Sequence, residues 1–231
     1  QAVDSNPRGG FMSILFVLLM FLLVISVRYF IEPHSEAVLE TEIMTKPQSP
    51  RVKREYGFEI PQDYGFHLGH MWVMKESSDD ARVGVDKFVT NLLGKIDHID
   101  ICGANRWVRQ GQKLITLHSG STSVDLLSPV EGVVTAINND ALGDPSLVTN
   151  DPYEHGWLAM VKSPDLTVNQ RNLIQGSMVA PWMQNNVTRL NAMLNESSPA
   201  LAQDGGSPVS GVLPRLTPEV QKKVMKEFLL S

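Results

Sequence analysis

From Tyr64 to about Lys162 the apolar residues come in short runs broken by turn formers, and that rhythm confines the stretch to an all-β domain. Leu114-Ile115-Thr116-Leu117 and Val133-Val134-Thr135-Ala136-Ile137 are the clearest strands, rich in the branched residues that suit a pleated surface. Between them, Ser119-Gly120-Ser121-Thr122-Ser123 is small and polar, as a hairpin tip requires. Val108 to Lys113 leads into this hairpin as a turn-bearing connection. Ser128-Pro129-Val130-Glu131-Gly132 marks the matching turn on its other side.

Several separated motifs in this stretch resemble the glycine cleavage system H-protein family. His70-Met71-Trp72-Val73 is similar to that family's HEWV run at its first strand. Arg82 to Phe88, with Gly84 inside it, resembles the TVGITDFA turn into a short helix, and Asn91-Leu92-Leu93-Gly94-Lys95-Ile96 resembles ELLGDI. Asp125, Ser128, Pro129, Val130 and Gly132 fall on SDVYSPVSG. Asp144 to Leu158, including Asp151, Pro152, Tyr153, Gly156 and Trp157, looks like DNPELVNEDPYGEGWL.

The resemblance covers a little over half of the chain. It implies a mainly β barrel-sandwich hybrid of the lipoyl-carrier type with flanking helices. It also implies a lysine at the hairpin tip carrying lipoate, which visits the decarboxylase, aminomethyltransferase and dehydrogenase partners. Aligning on Ser128-Pro129-Val130 and Gly132 puts Ser121 in the lysine slot, and no Lys lies between Lys113 and Lys162. A hydroxyl is a far poorer amide-forming nucleophile than an amine, so Ser121 reads as a degenerate attachment position. Ser119, Gly120, Thr122 and Ser123 complete the tip.

Composition narrows the function classes. A chain of 231 residues with 42% apolar content has enough for one core plus appendages. A net charge of −5 argues against a nucleic-acid partner, which requires clustered Lys and Arg. Cys102 is the single cysteine, so an intramolecular disulfide and a Cys-rich metal site are both excluded, and it reads as a small apolar filler.

Phe11 to Val27 carries no charge and no helix breaker. At 1.5 Å per residue, about 17 residues give roughly 26 Å of helix, the short end of what crosses the hydrocarbon core. Tyr29-Phe30-Ile31 extends the apolar length, Arg28 can snorkel, and Tyr29 sits like an interfacial anchor. No small-x-small cleavage pattern follows Val27, so residues 11–31 read as a retained single-pass anchor. Residues 1–10 form a tail before it, and Met12 is the expected natural start. Arg28, Lys46, Arg51, Lys53 and Arg54 follow the anchor against Arg8 before it, which places the C-terminal part in the cytoplasm.

Residues 32–63 are polar and contain Pro33, Pro47, Pro50 and Pro61, the composition of a stalk. The H-protein-like domain spans 64–195 and ends in a helix whose apolar face is Val179, Met183, Val187, Leu190 and Leu194, with Pro181 in its first turn. That face is expected to cap the β core, with Trp182 as the residue that could instead serve an interface. Asn186-Val187-Thr188 and Asn195-Glu196-Ser197 match glycosylation sequons, which arise readily by chance. Residues 196–215 are rich in Ser, Gly and Pro and read as a flexible linker.

Residues 216–231 form an amphipathic terminal helix with Thr217 as N-cap and Pro218 at N1. Its stripe is Val220, Val224, Met225, Phe228 and Leu229. Two roles stand equal for it: a docking helix that folds in a partner's groove, or a helix packed on its own domain.

Little other chemistry is legible. His67, His70, His118 and His155 are scattered without a carboxylate or thiolate at ligand spacing, so no metal is expected. No phosphate loop, nucleophile elbow or paired carboxylate site is visible, and the chain is not expected to be an enzyme. The reading is a membrane-anchored, non-lipoylated H-protein-like module, a structural or protein-interaction subunit of a membrane-associated complex such as a redox one. No cofactor is then expected. The alternative is a true glycine cleavage H-protein that carries the aminomethyl group on lipoate during glycine decarboxylation.

Overall fold

The computed structural model describes residues 16–26, 52–55, 58–197 and 210–230. The chain separates into two compact units, Gln1–Gln48 and Ser49–Ser231. In the first, residues 16–26 form helix α1, with Phe16, Phe21 and Leu22 each about two-thirds exposed. Among the described residues no helix is long and apolar enough to cross a membrane. The rest of the expected anchor, the expected start at Met12 and most of the expected stalk lie outside the described residues.

The second unit is mainly β. Its strands are β1 (Val52–Glu55), β2 (Phe58–Pro61), β3 (Tyr64–Phe66), β4 (Met71–Lys75), β5 (Asp80–Val85), β6 (His98–Ile101), β7 (Trp107–Val108), β8 (Lys113–Ser119), β9 (Thr122–Leu127), β10 (Gly132–Ile137) and β11 (Ala159–Lys162). A six-stranded antiparallel sheet runs β3-β4-β5-β11-β10-β7, and a three-stranded one runs β6-β8-β9. Inward-facing Val83, Val85, Val134 and Val161 of the first share one core with Ile99, Ile115, Leu117, Val124 and Leu126 of the second. Alternation along β9 shows why: Thr122, Val124 and Leu126 are buried, while Ser123, Asp125 and Leu127 are not.

Two sequence expectations are corrected here. The partner of the Leu114–Leu117 strand is β9, whereas Val133–Ile137 belongs to the other sheet. Residues 123 and 125 are polar because they face outward, and that hid the strand from a reading based on apolar runs. Within the span read as a stalk, β1 and β2 pair as a hairpin and Ile60 is buried in the core.

Helices fill the periphery. They are α2 (Lys87–Leu93), α3 (Asn139–Gly143), α4 (Ser146–Asn150), α5 (Leu166–Gln170), α6 (Val179–Ser197) and α7 (Pro218–Val224), the last continued by a π-type turn, Met225–Leu229. In α6 all five stripe residues, Val179, Met183, Val187, Leu190 and Leu194, are buried. Trp182 lies against Phe66 (6.1 Å) and His70 (4.6 Å), so it packs inward on the strand layer. Asn186 is also buried, which closes its sequon to a sugar in the folded domain.

The docking reading of the terminal helix is corrected as well. Val224, Phe228 and Leu229 are buried in their own domain, Val220 and Met225 pack against it, and Phe228 meets Phe88 at 5.5 Å. The last residues of the expected linker join this layer. Val212 and Leu213 are buried, and the Gly211 N–H donates to the Asn91 carbonyl at 2.8 Å. Each fully buried aliphatic or aromatic side chain contributes about 1.5–3 kcal/mol, enough to hold a short helix that would not persist alone in water.

Candidate functional site

The hairpin β8–β9 closes through a two-residue turn, Gly120-Ser121, with Ser119 paired to Thr122. Gly120 has φ 58° whereas Ser121 does not enter the left-handed region, the pattern of a type II′ turn that needs glycine at its first position. Ser121 is exposed, as is Ser123. The turn is held from beneath. The Gly120 N–H donates to Asp97 Oδ2 at 2.8 Å, and the Ser119 hydroxyl donates to the Leu93 carbonyl at 3.3 Å. The Gly120 N–H and a hydrogen bond from Lys95 keep the Asp97 carboxyl below the usual carboxylate range. Thr122 is buried, and its hydroxyl has no hydrogen-bond partner among the described residues.

The outer face of this sheet is a polar array fixed by strand register. His98 on β6 is opposite His118 on β8, which is opposite Ser123 on β9; the next row is Asp100, Thr116 and Asp125. Asp100 accepts from both imidazoles, Oδ1 with His98 Nε2 at 3.0 Å and Oδ2 with His118 Nε2 at 2.8 Å. Asp125 is gripped by Lys113 (2.7 Å) and by the Thr116 hydroxyl (2.8 Å). Burial works to raise its carboxyl pKa, but those bonds outweigh it and the pKa is lowered.

Several motif residues are built into the core of the domain. Trp72, fully buried, donates its indole N–H to the Val85 carbonyl (2.8 Å) and the Pro152 carbonyl (3.1 Å). Gly84 makes that possible, because a Cβ there would sit 2.5 Å from the Trp72 ring. Tyr153 is buried, and its hydroxyl accepts from the Lys87 N–H at 3.3 Å. Tyr64 donates to the Tyr153 carbonyl, and burial pushes its phenol up to about 12. His70, at φ 63°, is stacked between Phe88 (4.2 Å) and Trp182, with Nδ1 on Asp86 Oδ2 at 2.6 Å and Nε2 against Asn186 at 3.2 Å. Asp86 also caps α2 by accepting from the Val89 N–H.

Other motif residues close the frame. Gly94 ends α2, its N–H donating to the Thr90 carbonyl. Ser128 donates to the Val130 carbonyl at 2.6 Å, and buried Pro129 accepts from Gln110. Gly132, at φ 152°, leaves room for the Lys162 carbonyl, 2.3 Å from where a Cβ would be. Gly156 packs on the backbone of Val148, and half-buried Trp157 passes its carbonyl to Asn138. Asp151 accepts from the N–H groups of Glu154 and His155 and from the His155 ring.

The structure corrects the expectation that the histidines lack carboxylates. His70 has Asp86, His118 has Asp100, and His155 has Asp151. Ligand atoms of Asp151, Glu154 and His155 lie within 4.8 Å of one another. Local signals that could have found them exist: Asp86 directly precedes KFVTNLL, where an N-cap stands, and His98-x-Asp100 has the spacing of two same-face residues of a strand. Their partners lie on other strands and gave no local sign.

By sequence, the domain matches one family of known proteins. The family model for the glycine cleavage H-protein matches residues 65–186. The glycine cleavage system H protein of Mycobacterium avium (strain 104) is 35% identical over 107 residues, 46% of this chain and 81% of that protein. That of Bifidobacterium longum is 31% identical over 122 residues, 53% of this chain and 88% of the relative. A crystal structure of the H protein from Mycobacterium marinum overlays with a TM-score of 0.43 and 26% identity, over 46% of this chain and 87% of that one. On the strength of the sequence matches, the chain belongs to the glycine cleavage H-protein family.

Proposed function

We propose that this chain is a non-lipoylated member of its family, in which Ser121 occupies the position where relatives bear the lipoyl lysine. The observation that carries the reading is the alignment on Ser128-Pro129-Val130 and Gly132, together with the absence of lysine from 114 to 161. Lipoate joined as an amide needs an amine, and the exposed tip offers hydroxyls from Ser121 and Ser123. The residues at the tip therefore do not fit the group. The domain then works through contacts rather than catalysis, as a structural or interaction subunit. Its apolar run over 11–31 serves as a membrane anchor, with the domain on the cytoplasmic side, and a membrane redox complex is a suitable setting.

Intact mass of the native protein tests this directly. An unmodified mass is expected, and a lipoyl increment would overturn the reading. Co-purification from native membranes in mild detergent tests the second half. Membrane redox subunits are the expected partners, whereas recovery of glycine decarboxylase and aminomethyltransferase would favour the other reading, a working H-protein of glycine cleavage. The family match over residues 65–186 supports that second reading. Under it a modified residue must exist, and peptide mapping would find it.

A further inference from the structure

We propose that His98, Asp100 and His118 form a divalent transition-metal site, best suited to Zn²⁺, on the outer face of the three-stranded sheet. Residues two apart on one strand share a face, and a directly opposed residue on the next strand lies beside the first. His98-x-Asp100 on β6 with His118 across from His98 is that arrangement. Two imidazoles and one carboxylate are a donor set that zinc takes at three positions, leaving a fourth for water or substrate.

Asp100 already draws both rings to itself, and among the described residues its side chain accepts no other hydrogen bond. The two imidazoles now hold opposite oxygens of that carboxylate, with ring centres 5.7 Å apart. Unlike those of Asp151, Glu154 and His155, the three ligand atoms do not all lie within 4.8 Å of one another as they stand, so one ion replaces the shared proton contacts by drawing the donors inward through side-chain rotation. His98 and Asp100 are free to make it, since their side chains are 66% and 61% exposed. His118 is the more fixed member at 35%. Thr116 and Asp125 stand in the adjacent row, so a second carboxylate borders the site, held away by Thr116 and Lys113.

The Asp151-Glu154-His155 group is a poorer cage despite its closeness. Both oxygens of Asp151 are occupied by backbone N–H groups that close the turn. It serves instead as the internal control.

The test uses the full chain in detergent, stripped with a chelator and titrated with Zn²⁺ by calorimetry and with Co²⁺ by visible absorption. One ion per chain is expected, with cobalt bands of low coordination number. His118→Ala and His98→Ala should each weaken binding at least about tenfold, while His155→Ala leaves it unchanged. Circular dichroism confirms that each variant is folded; should His118→Ala fail to fold, the more exposed His98→Ala carries the test. Absence of zinc binding, retention of wild-type affinity in both sheet variants, or loss of binding in His155→Ala would each overturn the site.

Discussion

Around His70 both ring nitrogens have a partner and both faces of the ring are covered, whereas around Ser121 the side chain faces solvent and only the turn beneath it is tied down. Both regions belong to one domain, yet they tolerate change very differently. The motif-rich end holds residues whose alternatives all leave a void or an orphaned polar atom. At the tip, the exposed Ser121 has alternatives that cost the fold almost nothing. A family's most recognisable residues can therefore be those of its frame, while the position that decides its chemistry is free to drift.

Four substitutions sharpen that contrast, from the largest effect to the smallest. Trp72→Ala empties the most crowded part of the buried end and strands the Val85 and Pro152 carbonyls, so a loss of about 3–5 kcal/mol in denaturant unfolding is expected. A smaller loss would mean that the motif end is less tightly built than its contacts imply. Phe228→Ala should cost about 3 kcal/mol, at the low end of that range because the site lies near the chain terminus. A near-neutral result would mean that the terminal helix is dispensable to the domain.

Asp86→Ala removes the partner of a buried imidazole and the cap of α2 together. About 1–3 kcal/mol is expected from the orphaned ring, with about 1 more from the cap. At the other region Ser121→Lys should leave stability within about 0.5 kcal/mol, as at an exposed site. Co-expressed with a lipoyl-attachment enzyme it should gain the lipoyl mass. A folded variant that stays unmodified would show that the surface read by that enzyme has changed as well.

A pH titration probes a place of intermediate character, the Asp151–His155 pair at the edge of the motif end. Its hydrogen bond to Asp151 raises His155 above 6.5. Burial pushes Asp151 upward, but bonds from the His155 ring and from two backbone N–H groups outweigh it and lower the carboxyl below 3.8. The raised imidazole contributes stability below its unfolded value, lost as pH rises through the folded one. The lowered carboxylate contributes above its unfolded value, lost as pH falls through the folded one. The pair is therefore strongest between 3.8 and 6.5. Asp151→Asn should return His155 toward 6.5 in an NMR titration, and an unmoved resonance would show that the contact is not made in solution.

Much of this frame is legible in the chain. The apolar spacing of α6 names its buried face residue by residue, and Gly120 with its small polar neighbours marks a tip because the two-residue turn needs a glycine at positive φ. What stayed hidden is what depends on distant partners. Strand β9 has too few apolar residues to announce itself, since half of it faces solvent. His118 meets Asp100 only because β6 runs beside β8, and no local pattern records that. The terminal helix is equally amphipathic whether it covers Phe88 or a partner, so periodicity cannot choose. The contact with Phe88 decides it.

The tethering of the hairpin from below by Asp97 and Leu93 has a mechanical consequence. The tip is a fixed mast and not a swinging boom. Whatever is joined or presented at residue 121 sweeps a volume set by its own length, centred on a point the domain holds still. A partner must travel to that point, and the domain can offer neither reach nor delay beyond what the attached group supplies.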